Sequence, residues 1–320
     1  MQFDFCFVHS AEDPAIKATV LTGYHQRSGL TMAIVLPEGK RAASYPIEAV
    51  VAFVQECRVP AAQLVLQHDS ESSVKAILDA ASKRVGCSVR EAKDSPSNGG
   101  VENAHKRIQG MARTFKLEVE AATQVKLSVT HPMFSWIIRH SAWVLNRFQK
   151  RTSNGLTPLE SLTNQTYKST LGKLGEKILG KVDPEEIGKA DARWVEGVFL
   201  GRSADNDSVL VGTSEGVLEC RSVRAIGEES VYSADLINRF VGTPWDAKGR
   251  LGCPNGTGVP PAGGSRIFAR GWKFPRTPGC TGCHSKGKHS SECRKRRVRW
   301  MQDQEEKEAA RGEGSNPRSD

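Results

Sequence analysis

Polar and apolar positions change period several times along the first 150 residues. Gln2 to Val8 alternates and is rich in phenylalanine, which predicts a β-strand. Ala18 to Leu21 and Leu30 to Leu36 predict two more strands, with His25 to Gly29 as their turn. The period then lengthens. Ile47, Val50, Val51 and Val54 lie at helical spacing within Pro46 to Glu56. Gln63 to Leu66 is a short apolar run that ends at His68-Asp69, Ser73 to Val85 carries an apolar helical face, and Cys87 to Arg90 reads as another strand. Glu102 to Val119 has one apolar stripe through Ile108, Ala112, Phe115 and Val119. His131-Pro132 opens a further helix, which Asn154-Gly155 stops, and Thr157-Pro158 starts a short third piece with Thr157 as N-cap. Three strands followed by alternating helices and strands predict a mixed α/β layer.

Past residue 165 the pattern becomes short strands (WVEGVFLGR, VLVGT, VLECRSV) separated by turn clusters. From Pro244 onward glycine and proline dominate. The expected organisation is therefore a core over residues 1–165, a connecting segment and small β-module over 166–243, and a disordered basic tail over 244–320.

Composition adds partners to this outline. The net charge is +9 over 320 residues. Residues 251–320 hold 14 Lys/Arg against 7 Asp/Glu, so most of the surplus sits in the tail, one footprint of nucleic-acid contact and equally of a solvated tail. No apolar run approaches the roughly 20 residues of a membrane span, and the N-terminus lacks signal-peptide features, so the expectation is an intracellular protein with no membrane partner.

Three acids stand where a fold would present them together. Asp4 sits inside the first strand, on the face opposite Phe3 and Phe5, where a carboxylate is costly unless something binds it. Asp69 ends the run LVLQHD, and Glu102 lies in the first turn of a helix. Convergent hard oxygen donors suit Mg²⁺ or Mn²⁺, and two such ions would serve phosphoryl transfer. Taken singly, Asp69 also reads as a helix N-cap and Glu102 as an acid favoured at a helix N-terminus. Glu71 and Asp94 are competing acids nearby.

The stretch SPSNGGVENAHK reads as a glycine-containing turn, one acid, then His105, Lys106 and Arg107 as cations. Lys106, Gln109, Arg113 and Lys116 share the helix face of Glu102. That face suits the phosphates of DNA, with the glycines letting the backbone come close; the alternative is a solvated face.

In the order of these elements the chain resembles the catalytic core of retroviral and retrotransposon integrases, an RNase H-like fold with three acidic metal ligands. The resemblance rests on Asp4 in FDFCFV, Asp69 in LVLQHDSESSV and Glu102 in SNGGVENAHKRIQGMARTF, with 32 residues between the last two. HPMFSWIIRHSAWVLNRF, TPLESL and RWVEGVFLGRSADNDSVLV are similar to copia-type elements, including the group found in dinoflagellate genomes. Over residues 2–235 it implies that Asp4, Asp69 and Glu102 are the catalytic metal ligands. It also implies attack of water, then of a DNA 3′-hydroxyl, on a phosphodiester, with double-stranded target and element ends as partners and homo-oligomers in the family's manner. The alternative is a non-catalytic nucleic-acid-binding protein.

The tail holds a second metal candidate. Cys280, Cys283, His289 and Cys293 give C-x2-C-x5-H-x3-C, a set that can close a zinc tetrahedron, with His284 and Cys253 as alternative ligands. It resembles the zinc knuckles of retroelement proteins, shifted by one residue. Reduced, unbound cysteines are the other reading. The basic run Arg294–Arg299 beside it suits single-stranded nucleic acid or a nuclear-import signal.

Overall fold

The computed structural model describes residues 1–9, 14–37, 44–92, 99–182, 192–227 and 231–250, together with Arg296. The tail cluster Cys280, Cys283, His289 and Cys293 lies outside these residues, as do Asp94 and the SPSN turn.

The first sheet has the order β3-β2-β1-β4-β5. β1 (Gln2–His9), β2 (Lys17–Tyr24) and β3 (Thr31–Val35) are antiparallel, while β4 (Val65–His68) and β5 (Ser88–Glu91) run parallel to β1. Three antiparallel strands that lead into βα units, with helices on both faces, make the RNase H-like arrangement expected from the sequence. Alternation along each strand fills two cores. Phe3, Leu21, Met32, Ile34 and Leu66 pack against α1 (Ser44–Glu56) and α2 (Ser72–Val85). Ala18, Val20, Ala33 and Val35 pack against α3 (Gly99–Thr123) and α4 (Pro132–Phe148). Asn146 of α4 closes the edge of β3 as a strand would, accepting from the Thr31 N–H and donating to the Thr31 carbonyl.

A second, antiparallel sheet follows the short capped helix α5 (Pro158–Thr163), in the order β10-β6-β7-β8-β9. Its strands are β6 (Lys177–Lys181), β7 (Trp194–Arg202), β8 (Val209–Thr213), β9 (Gly216–Cys220) and β10 (Val223–Ala225). Val198, Leu200 and Leu210 from this sheet join the α3/α4 core, together with Ile237 of α6 (Ala234–Arg239). Helix α4 is therefore buried almost all round, because it is covered by β3 on one side and by the second sheet on another.

The structure corrects the reading of the glycines before Glu102. Gly99 and Gly100 are the first residues of α3 rather than part of a turn. A Cβ on Gly100 would come within 2.7 Å of the Tyr24 ring and meet Gln2, whereas nothing approaches Gly99. Gly100 thus lets α3 close onto β1 and β2; it is not space kept for DNA. Gln2 accepts from the otherwise orphan Val101 N–H at 3.2 Å and fixes the start of the helix. Gly100→Ala is expected to cost about 1–3 kcal/mol in urea unfolding. Gly99→Ala is expected to be neutral or to gain about 0.4–1 kcal/mol. Equal effects at both positions would contradict this packing.

Candidate metal centre

Register places the first two acids side by side. Gln2 pairs with Gln67 across the parallel β1–β4 ladder, so Asp4 and Asp69, each two residues on, stand level at the carboxyl end of β4. β4 ends at His68 while β1 runs on to His9, so Asp69 opens a loop beside a strand that continues past Asp4.

One carboxylate oxygen from each of Asp4, Asp69 and Glu71 lies within 4.8 Å of the other two. Asp4 comes from a strand interior, is half-buried, and accepts from its neighbour, the Phe5 N–H, at 2.8 Å. Asp69 opens the β4–α2 connection; its Oδ1 accepts from the Glu71 N–H at 3.2 Å, an Asx-type turn that orients both side chains. Glu71 occupies the N-cap of α2, but its side chain makes no capping hydrogen bond. Beneath the group, His68 is buried and its Nδ1 meets the Asp69 carbonyl.

Three carboxylates at this range repel unless a cation or protons separate them. Burial, followed by the charge of Asp69, pushes the Asp4 carboxyl up to about 6; the Phe5 N–H opposes this, and Glu71 and Glu102 add smaller upward pushes. Burial and then Asp69 also raise the Glu71 carboxyl. A raised carboxyl makes the folded state most stable below the unfolded value, and that stability is lost as pH rises through about 6. In EDTA, Asp4→Asn is therefore expected to be more stable than the parent above pH 6, by about 1 kcal/mol once solvent screening of the half-exposed group is allowed for. The two should converge near pH 4. Melting curves from pH 4 to 8 would show it; a variant that is no more stable at pH 8 would contradict the crowding of charge.

Glu102 stands outside this tight group. It is exposed on the first turn of α3, and its charge reaches Asp4 and His105. His105 differs from its reading as a cation. Its ring is buried on the sheet-facing side of α3, its Nε2 has no hydrogen-bond partner, and burial lowers its pKa against the opposing pull of the Asp4 backbone and Glu102. The four residues expected on the DNA face separate into two kinds. Lys106 and Arg113 are exposed. Gln109 is half-buried and interacts with the Cys6 thiol, and Lys116 is held by Glu120 at 2.8 Å.

Glu71 enters the sequence reading only as a competitor of Asp69. The signal that could have promoted it is an Asp-x-Glu pair in the first residues after a strand, where one acid makes the turn and the other is left over. Three hard oxygen donors, partly shielded from water, fit a small divalent cation of the Mg²⁺ or Mn²⁺ type. Among the described residues no helix is long and apolar enough to cross a membrane.

No family model matches the chain, and no curated protein does. Solved structures similar to it include integrase catalytic cores. A catalytic core of BIV integrase is 18% identical over 51% of this chain and 93% of that one, with a TM-score of 0.36. An HTLV-2 integrase catalytic core in complex with magnesium is 15% identical over 50% of this chain and 93% of that one, with a TM-score of 0.35. A chain of the simian T-cell lymphotropic virus intasome, in complex with the PP2A regulatory subunit B56 gamma, is 10% identical over 72% of this chain and 78% of that one, with a TM-score of 0.39.

Proposed function

We propose that the chain is an integrase-type polynucleotidyl transferase that breaks and joins DNA phosphodiesters with divalent metal. The observation that carries this reading is the gathering of Asp4, Asp69 and Glu71 within 4.8 Å at the carboxyl end of β4. Asp4 and Asp69 would hold the first ion, with Glu71 as a further ligand, and Glu102, in the first turn of α3, would serve a second ion or the same one once DNA is bound. Bound there, the ions supply a deprotonated nucleophile and a charge partner for the departing oxygen.

The protein's own share is positioning. The β1–β4 ladder fixes Asp4 against Asp69, and the Asx turn aims Glu71. Buried His105 and Gln2 hold α3 and thus Glu102 over the strand. Exposed Lys106 and Arg113 would engage phosphates on either side of the cut, which orients the scissile bond without reading sequence. A second reading, a nucleic-acid-binding protein without catalysis, draws support from Glu102 lying outside the group.

The test is cleavage and strand transfer on end-labelled duplex DNA with Mn²⁺. Product that needs Mn²⁺ and disappears with EDTA is expected. Duplex binding without any metal-dependent product would overturn the enzymatic reading and leave the second.

A further inference from the structure

Among the described residues some cations meet an acid, and others, such as Arg90 and Arg224, meet a neutral partner. Lys75 pairs with Asp79, Lys177 with Glu196, Arg202 with Asp207 and Arg239 with Asp235. A group around Tyr24 and the residues that follow α4 also lacks an acid. Arg27, Arg107, Lys150 and Arg151 form no ion pair with a carboxylate among the described residues.

The fold nevertheless holds two of them in place. Arg151 donates through Nη1 to the Arg27 carbonyl at 2.6 Å and through Nη2 to the Gln26 carbonyl at 3.4 Å. Gly29, at φ +78°, leaves the room for it: a Cβ there would lie 2.8 Å from Arg151 Cδ and Nε. Arg107 lies 5.9 Å from the centre of the Tyr24 ring and donates to Gln149 Oε1 at 3.4 Å. Both guanidinium groups are thus oriented by neutral partners, and their charge is left uncompensated. Burial, with the charge of Arg151, disfavours the protonated form of Arg107, although Tyr24 opposes this. Arg27 and Lys150 are exposed at the margin. The carboxylate that Lys150 influences is Glu160, whose oxygens already accept from the Thr157 N–H and the Thr166 hydroxyl.

The group reaches the start of α3 and the β1–β2 ladder. Tyr24 pairs with Gln2 in the β1–β2 ladder and packs against Gly100, two residues before Glu102. Arg107 is five residues beyond Glu102 on α3, about 7.5 Å along the helix axis and about 140° around it, so it points from the Glu102 face toward Tyr24.

We propose that Arg27, Arg107, Lys150 and Arg151, with Tyr24 at their edge, form a binding surface for the phosphodiester backbone of duplex DNA leading away from the metal centre. The inference rests on the reading of that centre as one that acts on DNA. Fixed guanidinium forks suit phosphate oxygens, which they can meet in bidentate pairs. Guanidinium groups held by neutral partners at two separate points match a polymer of evenly spaced charges better than an acidic peptide, whose carboxylates vary in reach.

The test is fluorescence anisotropy of a labelled DNA duplex with the full chain in EDTA, over a salt series. The double variant Arg27→Gln/Lys150→Gln removes two charges whose side chains anchor nothing. It should melt like the parent, bind at least about fivefold more weakly, and flatten the log–log salt slope by about 2. Lys83→Gln/Arg84→Gln, at the end of α2 on the other face of the sheet, should change affinity less than twofold. An unchanged affinity and slope in the first double variant would overturn the proposal. So would an equal loss in the second, or displacement of DNA by poly-glutamate at matched charge. Failure of the enzymatic reading would instead show as duplex binding at this surface without metal-dependent cleavage.

Discussion

Asp69→Asn is expected to lower Mn²⁺-dependent phosphodiester transfer by at least about 10²–10³-fold, the scale on which single transition-state charge partners act in enzymes. The substitution keeps the side chain's shape and its ability to accept from the Glu71 N–H, so the β4–α2 turn should survive. What it removes is one of two charges set level by the β1–β4 register. Asp4→Asn should fall as far, because the two donors act as a unit and their losses do not add. The two glutamates separate the possible ligand sets. If Glu71 completes the first ion, Glu71→Gln weakens Mn²⁺ binding in the absence of DNA. Glu102→Gln then leaves that binding nearly intact and shows its loss in turnover. Titration of each variant with Mn²⁺, followed by the rise in melting temperature, measures the first effect. Gel assays measure the second. A turnover in Asp69→Asn within tenfold of the parent would exclude the proposed centre.

The second large effect concerns stability. Trp136→Ala is expected to cost about 3–5 kcal/mol, the usual range for removing a buried aromatic side chain. Trp136 is 3% exposed in the core that α4 shares with both sheets, and its Nε1 donates to the Gly242 carbonyl at 3.0 Å. The loss is thus of packing and of the tie that holds the chain after α6. Trp136→Phe keeps most of the apolar surface and gives up the hydrogen bond, at about 1–2 kcal/mol. Because Val198, Leu200 and Leu210 pack into the same core, urea unfolding of Trp136→Ala should remain one transition by near- and far-ultraviolet dichroism. Two separated transitions would contradict the shared core.

The first sheet was legible because its strands alternate and its helices keep a clean stripe, so period alone distinguishes them. The ends moved where tertiary contacts decide. The strand expected from Gln63 begins at Val65, since Ala61–Gln63 close a single 3₁₀ turn. Helix α3 starts at Gly99, three residues before Glu102, its expected first residue, because Gln2 and Tyr24 receive it. β6, KILGK, went unseen: five residues with lysines at both ends and a glycine inside carry too little pattern. Its place between β7 and β10 comes from long-range pairing.

At the site, Asp4 stands out in the sequence because a carboxylate interrupts an aromatic-rich strand, whereas Asp69 alone reads as a helix N-cap and joins Asp4 only through the order of the three acids. Glu71 could not be ranked above its neighbours, since an acid at a helix start is ordinary. Only the turn made by Asp69 shows that its carboxylate is left over. The cation group was hidden for a different reason. Arg27, Arg107 and Arg151 are far apart in sequence, and a helical projection of α3 alone favours Lys106 and Arg113 and passes over Arg107.

The most direct measurement is the anomalous difference density of Mn²⁺ soaked into crystals of the protein. The account predicts an ion bound to carboxylate oxygens of Asp4 and Asp69 at roughly 2.0–2.6 Å, with Glu71 in its coordination shell. Absence of density at these residues at saturating Mn²⁺, or an ion held elsewhere with Asp4 and Asp69 uncoordinated, would contradict it.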